Sequence, residues 1–327
     1  MSKRIGWQGL PALALLVGLV ACQSPEQGGV ATPMPNPTAR QNNYGGSIQV
    51  GGLTRTYLVH LPPGQNAPMP LVLVFHGGGG SSRGMNAVTR FNSLADAQGF
   101  IVVYPDGYDK SWADGRGTTA ADRFGVNDVA FVSALIDQLA HTLSINARRI
   151  YAAGISNGGF FTLRLGCQLA TKIAAIAVVA ATMPANLAPT CHPARPVPAQ
   201  FYHGSADPLV PAAGGSMTVG AGGDILSIND SVALWARLNG CQSAPATTML
   251  PQSINDGTQV QRAAYAGCQQ GADVVFFNII DGGHTWPGGL QYLPVSVIGR
   301  TTRNLNATNV MWAFFEAHPW GTSSYDD

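Results

Sequence analysis

The residues best placed to do chemistry lie in a short glycine-rich segment, Gly154–Gly158, which reads GISNG. The segment matches the pattern G-x-S-x-G and lies between an aliphatic run that predicts a strand and a run with helical spacing. A serine on such a turn has an exposed hydroxyl, and the flanking glycines permit a strained backbone and a close approach of helix and strand. Because the chain has 40 glycines, the pattern alone is weak. Its strand–turn–helix context predicts that Ser156 is a nucleophile.

A serine hydroxyl is a weak nucleophile near neutral pH, so the site needs a base that accepts its proton. In the chain order that accompanies this turn, the acid and then the histidine follow the serine, which leaves His284 and His318 as candidates. His284 lies in a glycine-rich loop directly after the predicted strand Val274–Ile280, where parallel sheets place catalytic groups. His318 ends a predicted helix, a position that suits capping. The sequence therefore predicts His284 as the base.

The third group is a carboxylate that holds the imidazole in the correct tautomer and stabilises the imidazolium formed during attack. Asp207 follows the predicted strand Ala199–His203 and precedes the loop of His284. No other aspartate in this part of the chain combines a strand end with that position as well as Asp207 does; the rivals are Asp224, Asp230, Asp256 and Asp281. We therefore expect Asp207 to be the orienting acid.

Attack on a carbonyl creates an oxyanion, which backbone N–H groups must receive. One donor is expected to be the amide of Asn157, the residue after the nucleophile. The other is expected from the loop after the predicted strand Leu71–Phe75, where His76–Gly80 reads HGGGG and resembles an HGGG-type oxyanion loop. Gly78 is the preferred donor, and Gly77 and Gly79 remain alternatives. A phosphate cradle is not indicated, because no Lys-Ser or Lys-Thr follows the glycines.

These residues need a scaffold, and hydrophobic patterning predicts one. Apolar runs predict strands at Thr54–Leu61, Leu71–Phe75, Ile101–Tyr104, Ile150–Ala153, Ile176–Val179, Ala199–His203 and Val274–Ile280. Helical spacing predicts helices at Met85–Ala97, Val129–Leu143, Gly158–Leu169, Asp230–Leu238 and Asn309–Ala317. Several strands are apolar at every position, as expected when helices cover both faces of a sheet. The alternation predicts a single α/β domain around a mostly parallel sheet.

The first 22 residues are typical of an export signal, with Lys3 and Arg4 before an apolar run from Leu10 to Val20. The next residues, Ala21 and Cys22, complete a segment that resembles the lipobox of bacterial lipoproteins, which implies lipidation at Cys22. The lipid is the only membrane contact expected, at the outer membrane or outer face of the cell, and release outside the cell is the alternative. Residues 23–44 are rich in Gln, Pro, Gly, Asn and Thr and predict a flexible tether. The folded domain is expected at 45–327.

The other four cysteines are an even number in a chain with an export signal, which predicts two disulfides. Sequence order favours the pairs Cys167–Cys191 and Cys241–Cys268, although four cysteines allow three connectivities. Their spacing includes no C-x-x-C pair, so a zinc site is not indicated.

The charge composition limits the class of partner. Only 11% of residues are charged and the formal net charge is +1, so no broad field exists to hold nucleic acid. A neutral or apolar substrate is therefore favoured.

Five motifs taken together resemble the bacterial polyhydroxybutyrate depolymerase and feruloyl esterase family, in carbohydrate esterase family one. They are HGGGG at His76–Gly80, YPDG at Tyr104–Gly107, GISNGG at Gly154–Gly159, HGSADPLVP at His203–Pro211 and GGHTWPGG at Gly282–Gly289. The resemblance extends from Gly46 to Pro319 and implies an α/β-hydrolase fold. It also implies a triad of Ser156, Asp207 and His284, disulfides at positions like those of the four cysteines, and no metal or organic cofactor.

The sequence predicts the substrate less clearly than it predicts the reaction. The resemblance implies an exported serine carboxylic-ester hydrolase that forms an acyl-enzyme, with feruloyl or acetyl esters of plant polysaccharide, or polyhydroxyalkanoate-type polyesters, as substrates. Polyhydroxybutyrate depolymerases often carry cysteine where this chain has Gly78, a departure that weakens the polyester interpretation. Trp112, Phe160 and Trp286 are expected to wall an acyl or aromatic pocket. The alternative functions are an acyltransferase of the same fold and a non-catalytic surface binding protein.

Overall fold

A ten-stranded sheet forms the centre of the computed structural model, which describes residues 42–64 and 67–321. Its strands are β1 (Asn43–Val50), β2 (Leu53–His60), β3 (Met69–Phe75), β4 (Ile101–Pro105), β5 (Ile145–Ile155), β6 (Ala175–Val179), β7 (Ala199–Gly204), β10 (Ala246–Met249), β11 (Gln259–Tyr265) and β12 (Val274–Ile280). Two short strands, β8 (Gly215–Met217) and β9 (Gly223–Ile225), form a separate hairpin. The helices are α1 (Ser82–Thr89), α2 (Phe91–Gln98), α3 (Ala120–Arg123), α4 (Asp128–Thr142), α5 (Asn157–Gln168), α6 (Ile228–Leu238), α7 (Val295–Ile298) and α8 (Ala307–Ala317).

The strand order is β1-β2-β4-β3-β5-β6-β7-β12-β11-β10. The strands from β4 to β12 in this order pair in parallel, whereas β1 and β2 on one side and β11 and β10 on the other pair antiparallel. The expected single α/β domain with a mostly parallel sheet is confirmed. Three outer strands were not predicted from the sequence, because β1 and β11 are only partly buried and β10 is exposed throughout. Such strands lack a continuous apolar run.

Helices cover both faces of the sheet. In β3, Leu71, Leu73 and Phe75 point into one core, which includes buried side chains of α4, α5 and α6. The alternate residues Val72 and Val74 point into a second core, which includes α1, α2 and α8. This alternation explains why the strand is apolar at every position.

Several boundaries differ from the expected ones, and two of these differences change the description of an element or segment. The helix expected at Met85–Ala97 is two helices, α1 and α2, separated by Arg90, whose φ of 57° lies in the left-handed region. The Arg90 amide still donates to the carbonyl of Asn86, so the residue caps α1 while it redirects the chain. Strand β1 begins at Asn43, inside the segment expected to be a tether.

The expected export signal, its lipidation site Cys22 and most of the tether lie outside the described residues. Among the helices that the structure describes, none has the length and apolarity that a membrane crossing needs.

Both favoured cysteine pairings are present as disulfides. Cys167–Cys191 joins the end of α5 to the loop before β7, and Cys241–Cys268 joins the chain after α6 to the chain before β12. Each bridge closes a segment between neighbouring elements, and such closure stabilises a fold mainly by restricting the unfolded chain.

Candidate active site

Ser156 lies on the turn between β5 and α5, with φ 56° and ψ −125°. Few non-glycine residues adopt a positive φ, and those that do in a rigid setting often mark functional sites. The amide of Ser156 donates to Val179 O in β6, and its carbonyl accepts from the amide of Phe160 in α5. The strained serine is therefore held by the sheet on one side and the helix on the other.

The glycines around Ser156 are required by close backbone contacts. A Cβ at Gly154 would collide with the carbonyl of Gly158, and a Cβ at Gly158 would collide with the carbonyl of Phe75. A Cβ at Gly159 would lie 2.8 Å from Ala181 Cβ. Helix α5 thus approaches β3, β5 and the chain after β6 more closely than side chains would allow.

His284 and Asp207 form a buried pair. The distance from His284 Nδ1 to Asp207 Oδ2 is 2.8 Å, and the other oxygen, Oδ1, accepts from the amides of Leu209 and Val210 at 2.8 Å each. An ionised carboxylate can only accept, so Nδ1 carries the ring proton and Nε2 is left as a base. Both side chains are almost fully buried.

Glycine contacts also bring the two loops of this pair together. A Cβ at Gly204, at the end of β7, would overlap the carbonyl of Gly282, and a Cβ at Gly283 would overlap the carbonyl of Ile298. The amide of Ala206 donates to Gly282 O at 2.9 Å, and the amide of His284 donates to Ile298 O at 2.6 Å. The loops therefore meet through backbone, and this contact sets the spacing of Asp207 and His284.

Ser156 and His284 line one cavity of about 570 Å³. The loop from His76 to Ser81 forms part of its wall, and Met217 and residues 219–221 of the β8–β9 hairpin form another part. A substrate in this cavity therefore has access to both candidate catalytic residues.

Backbone hydrogen bonds distinguish the candidate oxyanion donors. The amide of Gly79 donates to Lys110 O at 2.9 Å, and the amide of Gly80 donates to Gly77 O at 3.0 Å. Gly77 and Gly78 lie beside the nucleophile turn: a Cβ at Gly77 would be 3.9 Å from Ser156 Oγ, and a Cβ at Gly78 would be 3.8 Å from Asn157 Cβ. The geometry favours Gly77 and Gly78 over Gly79.

His76 joins the glycine loop that follows it to the chain at Gly107. Its Nε2 accepts from the amide of Gly107 at 2.9 Å, so Nδ1 carries the proton and donates to Gly77 O at 2.7 Å. Burial lowers the pKa of His76, because the charged form is poorly solvated there. The neutral ring can make both bonds at once, and this fixes the carbonyl at the start of the glycine loop.

The three aromatic residues expected to contact substrate are buried elsewhere, which corrects that expectation. Trp112 and Trp286 are 0% exposed, Phe160 is 1% exposed, and none of them lines the cavity. Trp112 stacks on Phe161 and donates to His76 O, and Trp286 donates to Thr308 Oγ1 beside α2 and α8. Large aromatic side chains often fill the core behind a site, and their spacing from the nucleophile cannot show which way they point.

The rejected candidates lie in other surroundings. His318 caps α8 and lines a different cavity, where its Nε2 is 3.5 Å from Asp273 Oδ2. The rival aspartates bind local partners: Asp224 binds Ser216, Asp230 binds Ser227, Asp256 binds Thr258, and the amide of Asp281 binds Ser205. Within residues 42–64 and 67–321, no group of three His, Cys, Asp or Glu residues is arranged to hold a metal ion.

Three side chains near the site, those of Asp114, Arg116 and Tyr292, were not predicted from the sequence. Asp114 and Arg116 form a buried ion pair with 2.7 Å between Nη2 and Oδ2, and Asn157 Nδ2 donates to the same carboxylate oxygen at 2.6 Å. The hydroxyl of Tyr292 donates to the backbone carbonyl of His284 at 2.8 Å. The number of residues between each of these side chains and its partner matches no known sequence motif. The available signal for Asp114 and Arg116 was a loop with several charged residues in a chain of which only 11% is charged.

Comparisons with known proteins give a consistent result. A profile of the family described as Esterase PHB depolymerase matches residues 55–188. "Putative esterase NocK" of Nocardia uniformis subsp. tsuyamanensis is 31% identical over 91% of this chain and 94% of that protein. Feruloyl esterase D of Neurospora crassa is 28% identical over 76% of this chain and 79% of that protein. An acetyl xylan esterase structure from Aspergillus awamori shares the fold, with a TM-score of 0.51 and 14% identity over 71% of this chain and 89% of that one.

Proposed function

The chain belongs to the esterase PHB depolymerase family and is a carboxylic-ester hydrolase, and on that premise we propose that it is an exported serine esterase with Ser156, His284 and Asp207 as its triad. One observation carries the assignment. Ser156 and His284 line the same cavity, and the ring N–H of His284 donates to the buried carboxylate of Asp207. A serine and an oriented histidine that line one cavity support the assignment of nucleophile and base to this site.

The reaction proceeds through an acyl-enzyme. Ser156 Oγ attacks the ester carbonyl carbon while its proton passes to His284 Nε2, and Asp207 stabilises the imidazolium. The amides of Asn157 and of Gly78 or Gly77 receive the oxyanion. Collapse breaks the bond to the leaving oxygen, which takes the proton from His284. Water then attacks the acyl-enzyme and gives a proton to His284 Nε2. The second intermediate collapses by breaking its bond to Ser156 Oγ, which takes that proton back, and the carboxylic acid is released.

We propose feruloyl or acetyl esters of plant polysaccharide as the first substrate class. Relatives named as feruloyl esterases support this choice, including feruloyl esterase D and probable feruloyl esterase C of Aspergillus niger, the latter 29% identical over 89% of this chain. The cavity wall supplies an apolar surface from Met85, Val88 and Leu209, which suits an aromatic acyl group.

Polyhydroxyalkanoate-type polyesters are the second class. The segment after His284 carries Leu290, Leu293, Val295 and Val297, each 46–48% exposed, and Leu293 also lines the cavity. Exposed apolar side chains grouped at the mouth of a site favour contact with an apolar surface.

Export is supported by two disulfides in the described residues, since such bonds persist in oxidising compartments. Lipidation at Cys22 follows from the sequence and is part of the proposal. Labelling cells with palmitate and comparing wild type with Cys22→Ala tests the anchor, and unchanged labelling of the variant contradicts it.

The central test is Ser156→Ala on p-nitrophenyl butyrate, with the distant Ser243→Ala as matched control. We expect Ser156→Ala to lower kcat by at least about 10³-fold and Ser243→Ala to leave it unchanged. A pre-steady-state burst of nitrophenol in the wild type supports the acyl-enzyme. Full activity in folded Ser156→Ala overturns the mechanism.

Parallel assays of methyl ferulate, acetylated xylan and polyhydroxybutyrate on one preparation identify the substrate class. Adding an acceptor alcohol and analysing products separates hydrolysis from acyl transfer. Hydrolysis predicts that the free acid dominates, whereas a dominant new ester contradicts the hydrolase assignment.

A further inference from the structure

The β8–β9 hairpin covers part of the cavity, and its two ends are held differently. Its base joins the body of the protein through backbone bonds, from the amide of Ala185 to Asp224 O and from the amide of Leu226 to Met183 O, both 2.9 Å. Its tip contributes Val219 and Ala221 to the cavity wall. The tip is rich in glycine with positive φ, so its own backbone does little to fix its position.

Arg116 binds the hairpin from below its tip. Its Nη1 donates to Gly222 O at 3.0 Å and contacts Met217 Sδ at 3.4 Å. Thr118 Oγ1 donates to the same carbonyl at 3.2 Å. Arg116 also lines the cavity, although only 4% of its surface is exposed. Arg116 therefore connects the hairpin to the wall of the cavity that Ser156 lines.

A buried carboxylate fixes the direction of the guanidinium. Arg116 Nε and Nη2 donate to Asp114 Oδ2 at 3.0 Å and 2.7 Å, and Arg116 Cζ lies 4.3 Å from the centre of the Phe160 ring. Asp114 is fully buried. Burial raises the pKa of Asp114, and the charge of Arg116 opposes that rise. With both its carboxylate and aromatic contacts satisfied, the guanidinium has one well-defined position.

The same carboxylate reaches the nucleophile turn. Asn157 Nδ2 donates to Asp114 Oδ2 at 2.6 Å, and Asn157 Oδ1 accepts from the amide of Trp112 at 2.8 Å. A continuous set of hydrogen bonds thus runs from Gly222 in the hairpin, through Arg116 and Asp114, to the side chain of the residue after Ser156. Its members below the hairpin are all at least nine-tenths buried, so solvent does little to weaken these bonds.

We propose that Arg116 determines substrate specificity by fixing the β8–β9 hairpin at a set distance from Ser156, which limits the size of the ester group that fits beneath the hairpin. The inference rests on the proposed esterase function, because the discrimination is made during attack by Ser156. Arg116 is a positioning residue: it acts through its contacts with the hairpin, and the ion pair with Asp114 directs it.

The test compares Arg116→Met with Arg123→Met, an exposed arginine of the same segment whose side chain contacts Thr118 O. A double variant, Asp114→Asn with Arg116→Met, removes both charges and keeps an oxygen that accepts from Asn157, so it avoids leaving a buried unpaired carboxylate. Hydrogen exchange of residues 213–226 reports the hairpin without relying on turnover. Two ester series report specificity: p-nitrophenyl esters with acyl chains from acetyl to decanoyl, and ferulates from methyl to butyl.

We expect faster exchange of residues 213–226 in both Arg116 variants and unchanged exchange in Arg123→Met. In at least one ester series, the ratio of kcat/KM for the shortest to the longest member should fall by about tenfold in the Arg116 variants. The series that responds identifies the group under the hairpin. An unchanged ratio in both series, or a uniform loss across all esters, overturns the inference even if exchange rises. If the wild type hydrolyses no ester in either series, the proposed function fails instead, and the exchange data still show whether Arg116 anchors the hairpin.

Discussion

The two sides of the cavity are built by different means. On the His284 side, the loops that carry Asp207 and His284 are joined by backbone contacts at Gly204, Gly282 and Gly283. On the hairpin side, Arg116 and Asp114 join segments that are otherwise far apart. The His284 side depends on glycines, which have no side chain to keep the backbones apart. The hairpin side depends on the charged side chains of Arg116 and Asp114.

This difference explains what each side can tolerate. Backbone in direct contact leaves no room for even one methyl group, so the His284 side should be rigid and sensitive to small substitutions. Side-chain hydrogen bonds hold a separate hairpin, so the other side should adjust more easily and affect selectivity before rate.

Asp207→Asn should lower kcat on p-nitrophenyl butyrate by about 10⁴-fold. The amide can donate to Nδ1 and so favours the tautomer in which Nε2 carries the proton and cannot act as base. Circular dichroism should show an unchanged fold. Asp281→Asn, at an exposed position in the loop of His284, is the control and should keep activity. A modest loss in Asp207→Asn would transfer the orienting role to another group.

Gly283→Ala should lower kcat by about 100-fold and unfolding free energy by about 2 kcal/mol. The new Cβ would overlap Ile298 O, so the loop must shift and carry His284 with it. Gly45→Ala is the matched control, because its Cβ would lie 3.7 Å from Leu58 Cδ2, an ordinary contact. Activity equal to that of the control would show that the His284 side is more adaptable than backbone contact implies.

Tyr292→Phe should lower kcat about fivefold, corresponding to the loss of one hydrogen bond of about 1 kcal/mol. The ring remains at the cavity, so KM should change little, while His284 loses the donor on its carbonyl. Burial and the charge of Asp207 raise the pKa of Tyr292 to about 12, so the hydroxyl stays protonated through the range in which esters are assayed. Tyr265→Phe, in β11, is the control. A larger change in KM than in kcat would assign Tyr292 to substrate contact instead.

His203→Asn should make Tm depend less on pH below pH 6.5, the ordinary pKa of the histidine in the unfolded chain. His203 donates from Nε2 to Val210 O, beside Asp207, and burial lowers its pKa from 6.5. The unfolded chain therefore binds the proton more readily than the folded protein. The contribution of neutral His203 to the free energy of unfolding is therefore complete above pH 6.5. This contribution is lost as the pH falls from 6.5 through the lower folded-state pKa.

Exposed His192→Asn should keep the wild-type slope. The Tm of His203→Asn should still depend on pH in part, because burial lowers the pKa of His76 as well. A slope identical to wild type in His203→Asn would remove this histidine from the acid sensitivity of the Asp207 loop.

Short-range patterns predicted the parts of the fold that local sequence controls. The buried strands and the turn at Ser156 were readable because apolar runs and glycines constrain the backbone where they occur. The break at Arg90 was not readable, since the residues around it keep helical spacing through both helices. The exposed strand β10 also lacked a signal, because its partner β11 supplies the pairing that defines it.

By itself, the sequence determined the α/β fold and the loops that carry Ser156, Asp207 and His284, because each depends on a motif a few residues long. Only the tertiary structure decided that Trp112, Phe160 and Trp286 face the core and that Arg116 reaches the hairpin. Those outcomes depend on which side chains meet after loops from distant parts of the chain have packed. A linear pattern encodes the conformation of a turn, whereas it leaves open which side chains that turn will contact.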